Sequence, residues 1–203
     1  MAHEPLLGER LTAVLEGKEG KAAARALEIL LALARVFGAR AFAPVSSAQV
    51  SGVSFRSLSE AGLEFLESLA ADARVAVPAM LNPAGMDLRA WRAMGVGEAF
   101  AGMQQRVIDA YVRMGVEPAC TCTPYLAGHV PREGELLAWG ESSAVTYVNS
   151  VLGARSNREG GPAALAAALI GETPVYGLHL DENRRPAVTV RLDDEAAAPA
   201  RLG

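Results

Sequence analysis

Apolar side chains recur at helical spacing in several stretches of the chain. Between residues 21 and 36, Leu27, Leu30, Leu31 and Ala34 share one face, which predicts a helix that Gly38 ends. The same spacing predicts helices over 60–72, 98–114, 141–152 and 163–170. Short apolar runs predict strands at 41–45, 75–77, 175–180 and 187–192. Helices that alternate with strands in this way indicate an α/β domain.

Composition narrows the class of protein. Of the 203 residues, 51% are hydrophobic and 21% are charged, which is typical of a globular protein with a sizeable core. The formal net charge of −4 argues against a nucleic-acid surface. The sequence shows neither a membrane-spanning run nor a signal peptide, so we expect a cytoplasmic protein. We expect one α/β region over 1–192, followed by a flexible tail over 193–203.

Polar residues and glycines concentrate between residues 118 and 161. Cys120 and Cys122 are too close for an ordinary disulfide, and a thiolate is a ligand for iron or zinc. Taken alone, a C-x-C pair favours small buried side chains over a metal site, since a cluster needs three or four ligands. In the loop 153–161, Arg155 and Arg158 are suited to bind a carboxylate or a phosphate, or simply lie in a solvated loop.

Several motifs in this region are similar to those of a known family. They are TCTPY at 121–125, AWGESSAV at 138–145, NSVLGAR at 149–155, NREGG at 157–161 and YGLHL at 176–180. Together with LNPAGMDLRAW at 81–91, they closely resemble the aconitase X family over residues 7–192. The resemblance implies an aconitase-like α/β fold with alternating helices and strands around a mainly parallel sheet.

The resemblance also implies a reaction class. Aconitase X proteins are hydro-lyases that use iron, as an iron–sulfur cluster or a mononuclear ion, to remove water from a small hydroxy acid. Known substrates are cis-3-hydroxy-L-proline and mevalonate 5-phosphate. A small swivelling domain, either fused or a separate subunit, is expected to close over the site. The alanine- and arginine-rich composition indicates a GC-rich source, and for this reason we expect cis-3-hydroxy-L-proline as substrate, with mevalonate 5-phosphate as the alternative.

Site residues follow from the motif positions. The resemblance implies Cys122 as an iron ligand and leaves Cys120 outside the pattern. It implies catalytic roles for Glu141, Ser142 and His179. Substrate binding is assigned to the remaining polar motif positions: Asn82, Asp87, Tyr125, Asn149, Arg155, Asn157 and Arg158.

Two departures from the family leave alternatives open. The family's catalytic region is about twice as long as this chain, so the other cysteine ligands are expected on a companion polypeptide. Gln49 stands where the family pattern predicts a histidine, which argues against proton handling by this segment. The chain could therefore be a dehydratase component, a metal-free module that binds a small molecule, or an inactive truncated form.

Overall fold

The computed structural model describes residues 7–191, which fold into helices and short strands in alternation. The helices are α1 (Glu9–Leu15), α2 (Lys21–Phe37), α3 (Phe55–Leu69), α4 (Glu98–Arg113), α5 (Ser142–Ser150) and α6 (Gly161–Ile170). The strands are β1 (Phe42–Pro44), β2 (Ser47–Val50), β3 (Ala79–Leu81), β4 (Leu136–Trp139), β5 (Arg155–Ser156) and β6 (Glu172–Pro174). Short 3₁₀ turns cover Pro124–Ala127, Gly177–His179 and Asp181–Arg184.

The main sheet has four parallel strands in the spatial order β3-β2-β4-β5. The direction in which the chain crosses the sheet reverses between β2 and β4. The chain first moves from β2 to β3 on one side, and then returns to β4 on the other side of β2. In open α/β sheets, such a reversal leaves a crevice beyond the carboxyl ends of the two strands, and ligands bind there. In this protein the crevice begins at Ser51 and Gly140. Strands β1 and β6 form a separate antiparallel pair.

Apolar packing covers both faces of the parallel sheet. On one face, Ala48 and Val50 of β2 join a large cluster with side chains of α2, α3, α4 and α6. Every residue of α6 from Ala163 to Ile170 is buried, as expected for a helix that is apolar on all sides. On the other face, Trp139 packs with Ala144, Val145 and Val148 of α5. The sheet is thus held between helices, with its carboxyl edge free to form a site.

The predicted helices are confirmed, with small shifts of their ends. Helix α2 runs one residue further than predicted and ends at Gly38, which adopts a left-handed conformation at φ 65°. Helix α3 begins at Phe55 rather than at residue 60, with a break at Ser59. The expected mainly parallel sheet is also confirmed. Strand 41–45 corresponds to β1, whereas β2 was not predicted.

Three strand predictions are wrong. At 75–77, the amides of Val75 and Ala76 donate to the carbonyls of Met114 and Ala168, so this segment joins helix ends and the strand begins after Pro78. At 175–180 the strand is replaced by a 3₁₀ turn, for which Gly177 adopts φ 54°. Residues 187–191 are exposed and form no strand, and residue 192 lies outside the described residues.

Two predictions concern membrane insertion and the end of the chain. Within residues 7–191, no helix combines the length and the apolar character that crossing a membrane requires. The predicted tail over 193–203 lies outside the described residues.

Candidate active site at the carboxyl edge of the sheet

Loops that follow the parallel strands meet at the carboxyl edge of the sheet. They enclose an open cavity of about 350 Å³ next to the point where strand order reverses. We call it the carboxyl-edge pocket, and its lining is Ser51, Gly140, Glu141, Ser142, Arg158, Glu159 and Gly160. Of the predicted site residues, the pocket brings together Glu141, Ser142 and Arg158. Its polar lining suits a small charged ligand.

Glu141 is the anionic group of the pocket. It occupies the N-cap position of α5, where its side chain accepts a hydrogen bond from the Ser143 amide. Asn82, at the end of β3, donates from Nδ2 to Glu141 Oε2 at 2.7 Å, and Ser142 donates from Oγ to Oε1 at 3.2 Å. The hydrogen bond from Asn82, followed by those from Ser143 and Ser142, lowers the pKa of Glu141. The carboxylate is therefore ionised at neutral pH. The side-chain oxygen of Asn82, Oδ1, is buried without a hydrogen-bond partner among the described residues.

Glu159 is a second carboxyl group in the pocket, with a different environment. The residue is only 4% exposed, and Tyr176 donates its hydroxyl to Glu159 Oε1 at 3.0 Å. Burial raises the pKa of Glu159, although the hydrogen bond from Tyr176 opposes the change. A buried acid with a raised pKa beside an ionised one is an arrangement used for general acid–base chemistry.

Close backbone approaches shape the wall between β2 and β4. A Cβ atom on Gly140 would lie 2.5 Å from Ser51 Oγ, and one on Gly161 would lie 2.3 Å from the Ser51 carbonyl oxygen. Both distances are far below van der Waals contact, so only glycine fits at either position while Ser51 stays in place. The glycines of the NREGG and AWGE motifs thus set how closely the strand ends approach each other.

The two arginines of the 153–161 loop lie in different environments. Arg158 is exposed and lines the pocket. Arg155 instead donates from Nη1 to the His179 carbonyl oxygen at 3.0 Å, and its Nη2 forms a 2.6 Å ion pair with Asp181. Of the two guanidinium groups, only that of Arg158 is placed to meet a ligand in the carboxyl-edge pocket.

Four predicted site residues form a second group beside the pocket, which we call the buttress: Asn149, Arg155, Asn157 and His179. Asn157 donates from Nδ2 to the Tyr176 carbonyl oxygen at 3.1 Å and accepts from the Leu178 amide at 2.8 Å. Asn149 donates to the Ser156 carbonyl oxygen at 2.8 Å and thereby ties α5 to β5. The hydrogen bonds of these side chains go mainly to the backbone and hold the strand-to-loop connections around the pocket.

His179 lies within the buttress and is 4% exposed. Its Nδ1 is 3.2 Å from the Pro174 carbonyl oxygen, and its Nε2 is buried without a hydrogen-bond partner within residues 7–191. Burial lowers the pKa of His179, so the ring is neutral at neutral pH. The structure does not bring His179 to the pocket lining.

Asp87 and Tyr125 lie outside both groups. Asp87 is exposed and accepts from the amides of Arg89 and Ala90 at 2.8 and 2.6 Å, which lowers its pKa and closes a turn. The Tyr125 ring stacks on Tyr147 of α5 with 4.0 Å between ring centroids. Neither residue lines the carboxyl-edge pocket, and Asp87 instead lines a separate open cavity together with Cys120.

Cys122 is exposed and lies near Glu141, whereas Cys120 is half-buried. Partial burial, and then the negative charge of Glu141, raise the pKa of the Cys122 thiol. Among the described residues, no group of three or more His, Cys, Asp or Glu side chains could hold a metal ion. Cys122 can therefore supply one ligand to a metal, but residues 7–191 do not form a complete metal site.

Sequence reasoning missed Ser51 and Glu159 in the pocket lining. Ser51 follows β2, a strand that was not predicted, so the carboxyl-edge rule could not be applied to it. Glu159 stands inside the NREGG motif between residues that were singled out. An acidic residue followed by two glycines after a polar strand end was the available signal, but its hydrogen-bond partner Tyr176 lies 17 residues further along the chain.

The fold and the pocket define an α/β domain with a small-molecule crevice at the carboxyl edge of a parallel sheet. The family model described as "Aconitase X first domain" matches residues 6–182. The chain belongs to the aconitase X family, which confirms the resemblance seen in the motifs.

Individual relatives extend this finding. The chain is 52% identical to the phosphomevalonate dehydratase large subunit of Methanocaldococcus jannaschii, over 94% of this chain and 47% of that protein. It is 56% identical to the corresponding large subunit of Methanothermobacter thermautotrophicus, over 89% of this chain and 45% of that protein. Identity to the cis-3-hydroxy-L-proline dehydratase of Pseudomonas aeruginosa is 39%, over 90% of this chain and 31% of that protein.

A solved structure shares the fold. The crystal structure of Thermococcus kodakaraensis aconitase X in its holo form superposes with a TM-score of 0.81 at 46% sequence identity. The match covers 89% of this chain and 45% of that chain. The chain thus spans about half the length of the large subunits that it matches.

Proposed function

We propose that this chain forms the first domain of a dehydratase that removes water from mevalonate 5-phosphate. The observation that carries the proposal is the identity of 52% and 56% to two phosphomevalonate dehydratase large subunits, against 39% to a cis-3-hydroxy-L-proline dehydratase. The amino-acid composition favoured cis-3-hydroxy-L-proline as substrate, but composition follows the base content of the genome. Sequence identity over the whole domain includes the residues of the pocket and is therefore more informative about the substrate. The phosphorylated substrate is therefore the better choice.

The pocket supports an anionic substrate. Arg158 is exposed at its rim, and a guanidinium group binds phosphate or carboxylate through paired hydrogen bonds. Glu141 is ionised and would repel an anion, so we assign the phosphate to the Arg158 side of the pocket. Ser142 and Ser51 supply hydroxyl groups to the same cavity. Arg155 and Asn157 are assigned to the support of the site.

Iron is part of the proposal, and the donor set of this chain fits it only in part. Cys122 would supply a single thiolate, and the remaining ligands would come from outside residues 7–191. Bound iron would act as a Lewis acid on the departing hydroxyl group. Cys120 is half-buried, and burial raises the pKa of its thiol, so it is the weaker candidate ligand.

The two carboxyl groups of the pocket suit opposite proton roles. Glu141 is ionised and is held in place by Asn82, so it can accept a proton or orient a hydroxyl group. Burial raises the pKa of Glu159, which favours the protonated form more than in an exposed carboxyl group, so we assign it the proton-donating role. Ser142 donates its hydroxyl to Glu141 and lines the same pocket, so it can link a bound substrate to that carboxylate. His179 is assigned a positioning role because it lies in the buttress.

Assembly with other polypeptide segments is also proposed. The two archaeal relatives are named large subunits, and we therefore propose a small subunit as partner of the protein to which this domain contributes. A segment equivalent to the other half of those large subunits would complete the metal site.

The test combines metal content with substrate choice. The chain is co-expressed with the remaining large-subunit segment and the small subunit of M. jannaschii phosphomevalonate dehydratase, and is reconstituted with iron and sulfide under anaerobic conditions. We expect bound iron that is lost in Cys122→Ala and kept in the matched control Cys120→Ala, with dehydration of mevalonate 5-phosphate. Turnover of cis-3-hydroxy-L-proline instead would contradict the substrate. Ligand binding without iron or turnover would favour the metal-free binding module.

A further inference from the structure

Gln49 is a buried amide at the centre of the parallel sheet. It is fully buried in β2, where its backbone is paired with Met80 on one side and Trp139 on the other. Both neighbours are apolar, and an aliphatic side chain would fill the same space. A buried amide without hydrogen-bond partners destabilises a protein. The hydrogen bonds of Gln49 therefore decide what this residue contributes.

Its two hydrogen bonds reach two different loops. Nε2 donates to the Thr121 carbonyl oxygen at 3.0 Å, and Oε1 accepts from the Glu141 amide at 3.2 Å. Thr121 directly precedes Cys122, and Glu141 carries the anionic carboxylate of the pocket. One side chain thus joins the proposed metal-binding loop to the proposed catalytic loop across the end of β2.

We propose that Gln49 is a positioning residue that fixes the loop bearing Cys122 relative to Glu141. An amide has one donor end and one acceptor end and no charge, so it connects a carbonyl to an N–H group equally well at any pH. This differs from the proton-handling role that a histidine at this position would suggest. The consequence for catalysis rests on the proposed function, but the connection between the loops does not.

Gln104 of α4 provides a matched control. It is also fully buried, and its amide also joins two loops: Nε2 donates to the Val53 carbonyl oxygen at 2.9 Å, and Oε1 accepts from the amides of Phe55 and Gly85. Its partners differ from those of Gln49. Gln49→Met removes two hydrogen bonds and Gln104→Met removes three, both with little change of shape, so Gln104→Met should lower stability at least as much.

The first readout is amide hydrogen exchange followed by NMR in the full chain. Losing its acceptor should make the Glu141 amide exchange about tenfold faster or more in Gln49→Met. In Gln104→Met, the Phe55 amide should accelerate by a similar factor and the Glu141 amide should not. Equal acceleration of Glu141 in both variants, or none in Gln49→Met, would overturn the proposal.

The second readout reports on the cysteine loop. A nitroxide label is attached to Cys122 in a Cys120→Ala background, and its mobility is recorded by electron paramagnetic resonance. We expect a larger mobile fraction in Gln49→Met and an unchanged spectrum in Gln104→Met. Unchanged mobility in Gln49→Met would show that the loop does not depend on this hydrogen bond and would overturn the proposal.

A third measurement needs no substitution and remains available if Gln49→Met does not fold. In the wild-type chain, the Gln49 side-chain amide should exchange with solvent at least about tenfold more slowly than that of exposed Gln105. Exchange at the same rate as Gln105 would show that the bridge is absent in solution. Because none of these readouts depends on turnover, failure of the proposed function would leave them interpretable.

Discussion

Arg158 and Arg155 lie three residues apart in the stretch 153–161, yet they belong to two regions with different tasks. Arg158 is exposed in the carboxyl-edge pocket, whereas Arg155 is engaged with Asp181 and with the carbonyl oxygen of His179 in the buttress. Asn157 lies between them in sequence and is buried. Arg155 lies in β5, whereas Arg158 lies in the loop that connects this strand to α6.

Polar residues in the family motifs can therefore either bind a ligand or stabilise the fold around the pocket. Side chains of the buttress form hydrogen bonds mainly with backbone groups, so removing these side chains should lower the free energy of unfolding. In the pocket, the exposed Arg158 side chain forms no hydrogen bond or ion pair within residues 7–191, so its loss should change ligand binding and leave stability intact. The predictions below separate these two outcomes.

The largest effect is expected at Asn157. Asn157→Ala removes the donor to Tyr176 and the acceptor for Leu178 in a buried site, and should reduce the free energy of unfolding by about 2–4 kcal/mol. Arg158→Ala, one residue away, should stay within about 0.5 kcal/mol of the wild type, as for most exposed positions. Urea unfolding followed by circular dichroism measures both. Equal destabilisation by the two substitutions would remove the distinction between the regions.

A somewhat smaller effect is expected where the pocket wall is tightest. Gly161→Ala would place a methyl group 2.3 Å from the Ser51 carbonyl oxygen and push the ends of β2 and α6 apart. We expect a loss of about 1–3 kcal/mol, as for other overpacked sites. Gly160→Ala is the matched control, because a Cβ at Gly160 would meet no atom within 4 Å. A harmless Gly161→Ala would mean that the close approach is not needed.

Arg155 should contribute less than Asn157, because its ion pair is partly exposed. The side chain of Arg155 is 26% exposed and that of Asp181 is 80% exposed. Arg155→Ala should therefore reduce the free energy of unfolding by about 0.5–1.5 kcal/mol, mainly through the lost hydrogen bond to the His179 carbonyl oxygen. Thermal unfolding at low and high salt measures it. A loss that disappears at high salt would assign the effect to Asp181 instead.

The smallest and most specific effect concerns pH. Burial raises the pKa of Glu159 in the folded state, so the folded protein retains this proton when the unfolded chain has lost it. Stability from this group is present below the unfolded pKa and falls as pH rises towards the folded pKa. Glu159→Gln should remove this component, and urea unfolding at several pH values above 4.5 tests it. An unchanged pH profile would contradict a raised pKa of the buried Glu159.

The sequence predicted most of the helices because their apolar stripes are long. Helix α2 repeats its apolar positions over four turns, and its predicted end at Gly38 needs no knowledge of the rest of the fold. The strands have two to four residues each, and runs such as Val75–Val77 look like strands locally but connect helix ends. Strands this short contain too few residues to show the alternation of apolar and polar side chains, so a sequence pattern cannot distinguish a true strand from such a connecting segment.

The site was predictable in its motifs but not in its grouping. Motif residues Glu141 and Arg158 lie in the pocket, whereas Asn149 and Asn157 lie in the buttress, and nothing in the motif letters separates them. Gln49 was noted only for a missing histidine, since its partners at Thr121 and Glu141 lie 72 and 92 residues away. Such long-range hydrogen bonds depend on the order of strands in the sheet, which the sequence does not reveal.

The central claim is that the carboxyl-edge pocket binds an anionic substrate through Arg158 and not through Arg155. The most direct measurement is an NMR titration of the chain and its two alanine variants with mevalonate 5-phosphate. We predict shifts at the amides of Ser51, Ser142 and Gly160, with affinity at least about tenfold lower in Arg158→Ala, which corresponds to 1.4 kcal/mol, and nearly unchanged in Arg155→Ala. Loss of affinity in Arg155→Ala alone, or shifts confined to the buttress, would contradict the account.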